Sequence, residues 1–121
     1  MEFFYKTKFL FPGELFVSAE PYKITTILGS CVAVTLFNRK FGFGGMNHYL
    51  LSERGGVKPG DCDDNRYGNI SIVNLINQML ALDANLNNCE AKIFGGCNVV
   101  SSIINFDIGI NNIRIAQKIL G

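Results

Sequence analysis

The chain has a single histidine, His48, and four cysteines, of which Cys31 is set to use it. Cys31 lies in Leu28-Gly29-Ser30-Cys31-Val32-Ala33-Val34, and His48 in Gly44-Gly45-Met46-Asn47-His48-Tyr49. Each stands where a glycine-containing turn meets an apolar run. A thiol becomes a strong nucleophile when an imidazole within hydrogen-bond reach takes its proton. With one histidine present, Cys-His chemistry here has only one base, and two adjacent strands can bring the two side chains together.

The other groups that could do chemistry are less suited to it. Cys62, Cys89 and Cys97 read as free thiols of a reducing compartment, and small buried hydrophobes are the ordinary role of such cysteines. The carboxylates of Asp61, Asp63 and Asp64 around Cys62 make it a poor nucleophile. There is no CxxC pair, and one histidine cannot complete a Cys2His2 zinc site. Asp61-x-Asp63-x-Asn65 starts like a calcium loop but fails, with Arg66 where glycine is required and Ile72 where the bidentate glutamate belongs. Gly95-Gly96 is not followed by the Lys-Ser/Thr of a phosphate loop. No metal and no cofactor is expected.

Five blocks carry a resemblance: Thr25-x-x-Leu28-Gly29-Ser30-Cys31-Val32-Ala33-Val34, Gly45-Met46-Asn47-His48, Arg66-Tyr67-Gly68, Ala91-Lys92-Ile93-Phe94-Gly95-Gly96 and Asp107-Ile108-Gly109-x-x-Asn112. In this order the chain resembles the chemoreceptor glutamine deamidases, the CheD family, over residues 13 to 120. The resemblance implies hydrolysis of glutamine side chains on the cytoplasmic helices of chemotaxis receptors, with Cys31, His48 and Thr25 as the catalytic set and a CheC-type phosphatase as a partner. It further implies one domain over residues 1–121, without the family's usual C-terminal segment. Ser52 and Cys97 depart from the family's pattern, which has proline and a small residue there.

On this reading the Cys31 thiolate attacks the glutamine carbonyl, and His48 protonates the departing ammonia and then activates water against the thioester. Backbone N–H groups of Gly29, Ser30 and Cys31 are the expected oxyanion donors, since glycine lets the main chain approach closely. Thr25 is expected to orient the imidazole. Thr26 would face the opposite way on a strand, so only one of the two points inward. An imidazolium partner would keep Cys31 partly thiolate in mild acid. Asn47, Arg66 and Tyr67 are expected near substrate. A related cysteine amidohydrolase or transglutaminase, and a binding module that regulates a partner, are the competing readings.

Strand-forming residues fill Phe3–Phe11, Leu15–Ala19, Val32–Phe37 and Gly44–Leu51, with Pro12-Gly13, Asn38-Arg39-Lys40 and Gly55-Gly56 as turns. The polar stretch Glu53–Asn69 predicts a long loop beside the site, a candidate movable wall. Ile72, Ile76, Met79 and Leu80 have the spacing of a buried helical stripe, capped by Asn69 or Ser71. Ala91–Phe94 predicts a strand. Asp107 is the expected cap of a last helix whose buried face carries Ile110, Ile113 and Ile119. Strands first and helices later predict an α+β fold, and the resemblance implies a single-domain layered sandwich of mixed β-sheet with helices packed against it.

Composition narrows the function classes. The chain is 48% apolar and 17% charged, with a net charge of +1, so it folds around a core and lacks the basic cluster that nucleic acid requires. No apolar run approaches the ~20 residues of a membrane-spanning helix. Glu2 replaces the basic start of a signal peptide, so no membrane insertion and a cytoplasmic location are expected.

Overall fold

A computed structural model describes residues 5–58, 62–97 and 107–121. Phe3 and Phe4 of the first expected strand, and Asp61, lie outside the described residues. The strands are β1 (Lys6–Phe9), β2 (Leu15–Ser18), β3 (Tyr22–Thr25), β4 (Val32–Asn38), β5 (Phe43–Asn47) and β6 (Cys89–Gly95). The helices are α1 (Gly68–Leu82) and α2 (Ile108–Leu120). Four strands form an antiparallel sheet in the order β2-β5-β4-β6, while β1 and β3 form a separate parallel pair. Helices packed against mixed parallel and antiparallel sheet give the α+β fold that the order of elements predicts.

The two faces of β4 divide the molecule. Val32, Val34 and Leu36 point to the helices and join Ile72, Leu75, Met79, Ile115 and Ala116 in the core. Ala33, Thr35 and Phe37 alternate to the opposite face. The α1 stripe is centred on Ile72, Leu75 and Met79, one position round from the expected line, with Ile76 only partly buried. The expected caps are corrected: α1 starts after Tyr67 with no side-chain cap, Ser71 is buried within the first turn, and Asn69 instead accepts from Arg54 N–H at 3.1 Å. Asp107 does precede α2, but its side chain makes no cap bond. The Pro12-Gly13 turn forms as expected, closed by Glu14 N–H to Phe11 O at 3.1 Å, with Gly13 at φ 85°. Only glycine supplies that angle cheaply.

The strand expected over Gly44–Leu51 stops at Asn47. In the β4–β5 register, Val34 faces Asn47, and Val34 N–H should find the Asn47 main-chain carbonyl. It bonds the Asn47 side chain instead, Oδ1 at 2.7 Å. That substitution opens the ladder just before His48. The strands close once more at Val32 and Tyr49, whose main chains exchange bonds of 3.1 and 2.9 Å.

Candidate active site

The Val32–Tyr49 pair brings the two chemical residues together. Cys31 and His48 each lie one step before a member of that pair, so both point to the face away from the helices. Across an antiparallel pair they are diagonal neighbours, a relation with Cα atoms roughly 7–8 Å apart and side chains closer. Cys31 is half-buried and His48 is 2% exposed.

The main chain around each residue is fixed on both sides. His48 N–H donates to Glu14 O at 3.0 Å, and His48 O accepts from Gly13 N–H at 2.8 Å. Before Cys31, each carbonyl is taken: Gly29 O by Cys97 N–H at 2.9 Å, Ser30 O by Asn112 Nδ2 at 3.0 Å, and Cys31 O by Gly96 N–H at 2.9 Å. Gly95 stands at φ 95°, where a Cβ would collide with Cys31 O. The Gly95-Gly96 pair is therefore a close backbone approach to the chain at Cys31. With the carbonyls spent, no N–H of Gly29, Ser30 or Cys31 donates to another backbone group among the described residues.

The ring is oriented by Thr26, not by Thr25. Thr26 Oγ1 lies 2.7 Å from His48 Nδ1 and 2.8 Å from Leu10 O. A carbonyl only accepts, so the single hydroxyl proton goes to Leu10 and the oxygen accepts from the ring. Nδ1 therefore carries the hydrogen and Nε2 the lone pair. Nε2 is buried with no hydrogen-bond partner among the described residues. Thr25 is exposed, sits opposite Phe9 in the β1–β3 pair, and lines a groove of about 330 Å³ with Ile24, Thr26, Leu28, Ala33, Met46 and Phe94. Ala33 lies on the same face of β4 as Cys31, so the groove runs along that face.

Burial sets the protonation states. It lowers the His48 pKa from its ordinary 6.5 and raises that of Cys31 from 9.0, a bond from the Cys31 main chain opposing the latter. Both shifts run toward the neutral forms, against the thiolate–imidazolium pair expected from the sequence.

The remaining expected residues make hydrogen bonds and contacts of their own. Asn47 is fully buried and holds β4 through Val34, on the helix side rather than beside the thiol. Arg66 forks onto Asp64 at 2.8 and 2.7 Å and stands over the Tyr67 ring at 5.8 Å. That fork holds the Asp64 carboxyl at a pKa of about 2. Arg66 O accepts from Leu50 and Leu51 N–H at 2.8 and 3.1 Å, and Tyr67 precedes α1. The end of the loop, residues 66–69, is thus bonded to the segment Leu50–Ser52 that follows His48. Cys62 Sγ is 3.5 Å from Arg54 Nη1 and 3.4 Å from Asp64 N, so a cation and an amide face it along with the carboxylates. No group of three or more metal-ligating side chains, and no helix long and apolar enough to cross a membrane, occurs among the described residues.

Residues 50–121 match the family described as CheD chemotactic sensory transduction. The chain is 40% identical over 121 residues to the "Probable chemoreceptor glutamine deamidase CheD" of Sulfurimonas denitrificans, covering 96% of this chain and 74% of that one. A protein of the same name from Thiobacillus denitrificans is 40% identical over 117 residues, covering 95% and 57%. Another from Trichlorobacter lovleyi is 44% identical over 113 residues, covering 90% and 66%. The chain thus spans 57% and 66% of the length of the latter two relatives.

Proposed function

The chain belongs to the CheD family, and from that premise we propose that it deamidates glutamine side chains of chemotaxis receptors through a thioester on Cys31. The observation that carries this reading is the fixed tautomer of His48. Thr26 holds the proton on Nδ1, so the lone pair of Nε2 is the one left to receive a thiol proton.

In the first half-reaction Nε2 takes the Sγ proton as sulfur attacks the glutamine side-chain carbonyl carbon. Negative charge collects on the carbonyl oxygen, where the N–H groups of Ser30 and Cys31 are the donors we assign. The imidazolium then protonates the amide nitrogen, the C–N bond breaks, and ammonia leaves. In the second half-reaction Nε2 takes a proton from water, the water oxygen attacks the thioester, and the proton returns to sulfur. Glutamate is the product and the enzyme is regenerated. A neutral pair suits this sequence, because the base is unprotonated when substrate arrives and becomes the acid only after attack.

The groove beside Thr26 and Ala33 gives the flanks of a substrate helix an apolar bed. A CheC-type phosphatase docking on this face is the partner that the family resemblance implies. Incubation with receptor cytoplasmic fragments, followed by peptide mass spectrometry, should find glutamine converted to glutamate. Cys31→Ala should lower the rate on the order of 10³-fold or more while the protein stays folded. Undiminished conversion by that variant would remove the nucleophile assignment, and incorporation of an added amine in place of water would mark a transglutaminase.

A further inference from the structure

One buried polar side chain has no part in the steps above. Asn112 is the only buried polar residue of α2, in the company of Gly109, Ile115 and Ala116. Its Nδ2 gives one hydrogen to Ser30 O at 3.0 Å and the other to Leu50 O at 2.8 Å. Ser30 precedes Cys31, and Leu50 follows Tyr49. Its own main-chain carbonyl accepts the Tyr49 hydroxyl.

These bonds sit where the two strands part. Extending the register of Val32 and Tyr49 would pair Ser30 with Leu51. Leu51 has left: its N–H goes to Arg66 O at 3.1 Å and its carbonyl accepts from Gly68 N–H at 2.7 Å. The fork leaves Cys31 half-buried at its mouth, and it orphans Ser30 O. Asn112 supplies the missing rung from the side. The task suits a primary amide, because one nitrogen carries two hydrogens directed to two acceptors. Gly109, one turn earlier, lets α2 come this close, since a Cβ there would press on Gly96 O and, at 2.6 Å, on Cys97 O.

We propose that Asn112 is a positioning residue: by bridging the carbonyls of Ser30 and Leu50, its amide sets the spacing of the Cys31 thiol and the His48 imidazole. The proposal rests on the Cys31–His48 reading above, and alkylation of Cys31 by iodoacetamide tests the two separately because it needs no receptor. The rate and its pH profile are measured by peptide mass spectrometry in the full chain, in His48→Ala, in Asn112→Ala and in the double variant, with near-ultraviolet circular dichroism to show folding.

We expect His48→Ala to slow alkylation and erase the inflection due to the imidazole. Asn112→Ala should lose the same inflection, and adding His48→Ala to it should change the rate less than about twofold, the non-additivity of groups acting through one geometry. In deamidation, Asn112→Ala should lower kcat roughly 10- to 100-fold with KM within about threefold, within what loss of acid–base help costs. Tyr49→Phe, which loosens the anchor but keeps the amide, should give the same pattern at smaller size, and it decides the matter if Asn112→Ala does not fold. Additive effects of Asn112→Ala, or of Tyr49→Phe in its place, with His48→Ala overturn the positioning role alone. No effect of His48→Ala on wild-type alkylation overturns the pair itself and the proposal with it.

Discussion

At the scale of single residues, the hydroxyl of Thr26 decides which ring nitrogen can act. Thr26→Val keeps the shape and removes the acceptor, so Nδ1 loses the partner that holds its proton. Deamidation should fall about 10²-fold, the lower end of what positioned acid–base help contributes. Thr25→Val should stay within about twofold, because Thr25 is exposed on the groove. Kinetics of both variants on one receptor fragment check this, and a larger loss in Thr25→Val would return the orienting role to that residue. Strand alternation makes clear from the sequence that only one of the two threonines faces inward. Which one does so depends on β1 pairing with β3 at Phe9 and Thr25 and on Leu10 O lying beneath Thr26. Those are non-local contacts that no local pattern in residues 22–26 encodes.

At the scale of elements, the site depends on turns and strand ends more than on strands. Gly95→Ala would force an unfavourable φ of 95° on a side chain and drive its Cβ into Cys31 O. Urea unfolding should show a loss of about 1–3 kcal/mol from the strained conformation. Deamidation should fall by more than the folded fraction does, because the displaced carbonyl belongs to the nucleophile. Loss of activity strictly parallel to the folded fraction would mean that the turn is only structural. The main strands and α1 were legible in side-chain periodicity, since their buried faces repeat at two or at three to four residues. α2 was legible as a helix, but its fully buried face is Gly109, Asn112, Ile115 and Ala116. The expected Ile110, Ile113 and Ile119 are only half-buried, because a glycine and an asparagine on the inner face carry no apolar signal. β3 was not: it is four residues long, with only Tyr22 and Ile24 half-buried. The early end of β5 was hidden as well, because a side-chain amide that imitates a main-chain carbonyl leaves the apolar pattern of residues 44–51 intact.

At the scale of the whole molecule, the buried pair shapes stability against pH. The folded pKa of His48 lies below 6.5, so as pH falls the unfolded chain takes up this proton first. The stability owed to a neutral His48 is complete above that ordinary value and is lost as pH falls through the depressed folded one. For Cys31 the sign is reversed: its contribution is complete below 9.0 and is lost as pH rises through the raised folded value. Thermal melts should therefore show a plateau between these limits, and His48→Gln should flatten the acid side below pH 6.5. An unchanged acid slope in that variant would assign the decline to other groups. With one histidine in the chain, no second imidazole can imitate the effect.

The parallel pair β1–β3 stands apart from the four-stranded sheet, yet the residue just after β3 holds the His48 ring that follows β5. The thiol and the base can therefore meet while the general base still lacks its fixed tautomer. On the proposed mechanism, catalytic competence would need the small ribbon docked against the sheet, so turnover would report that docking. On the same reading, a chain without that docking would present the Cys31 thiol but not a working hydrolase.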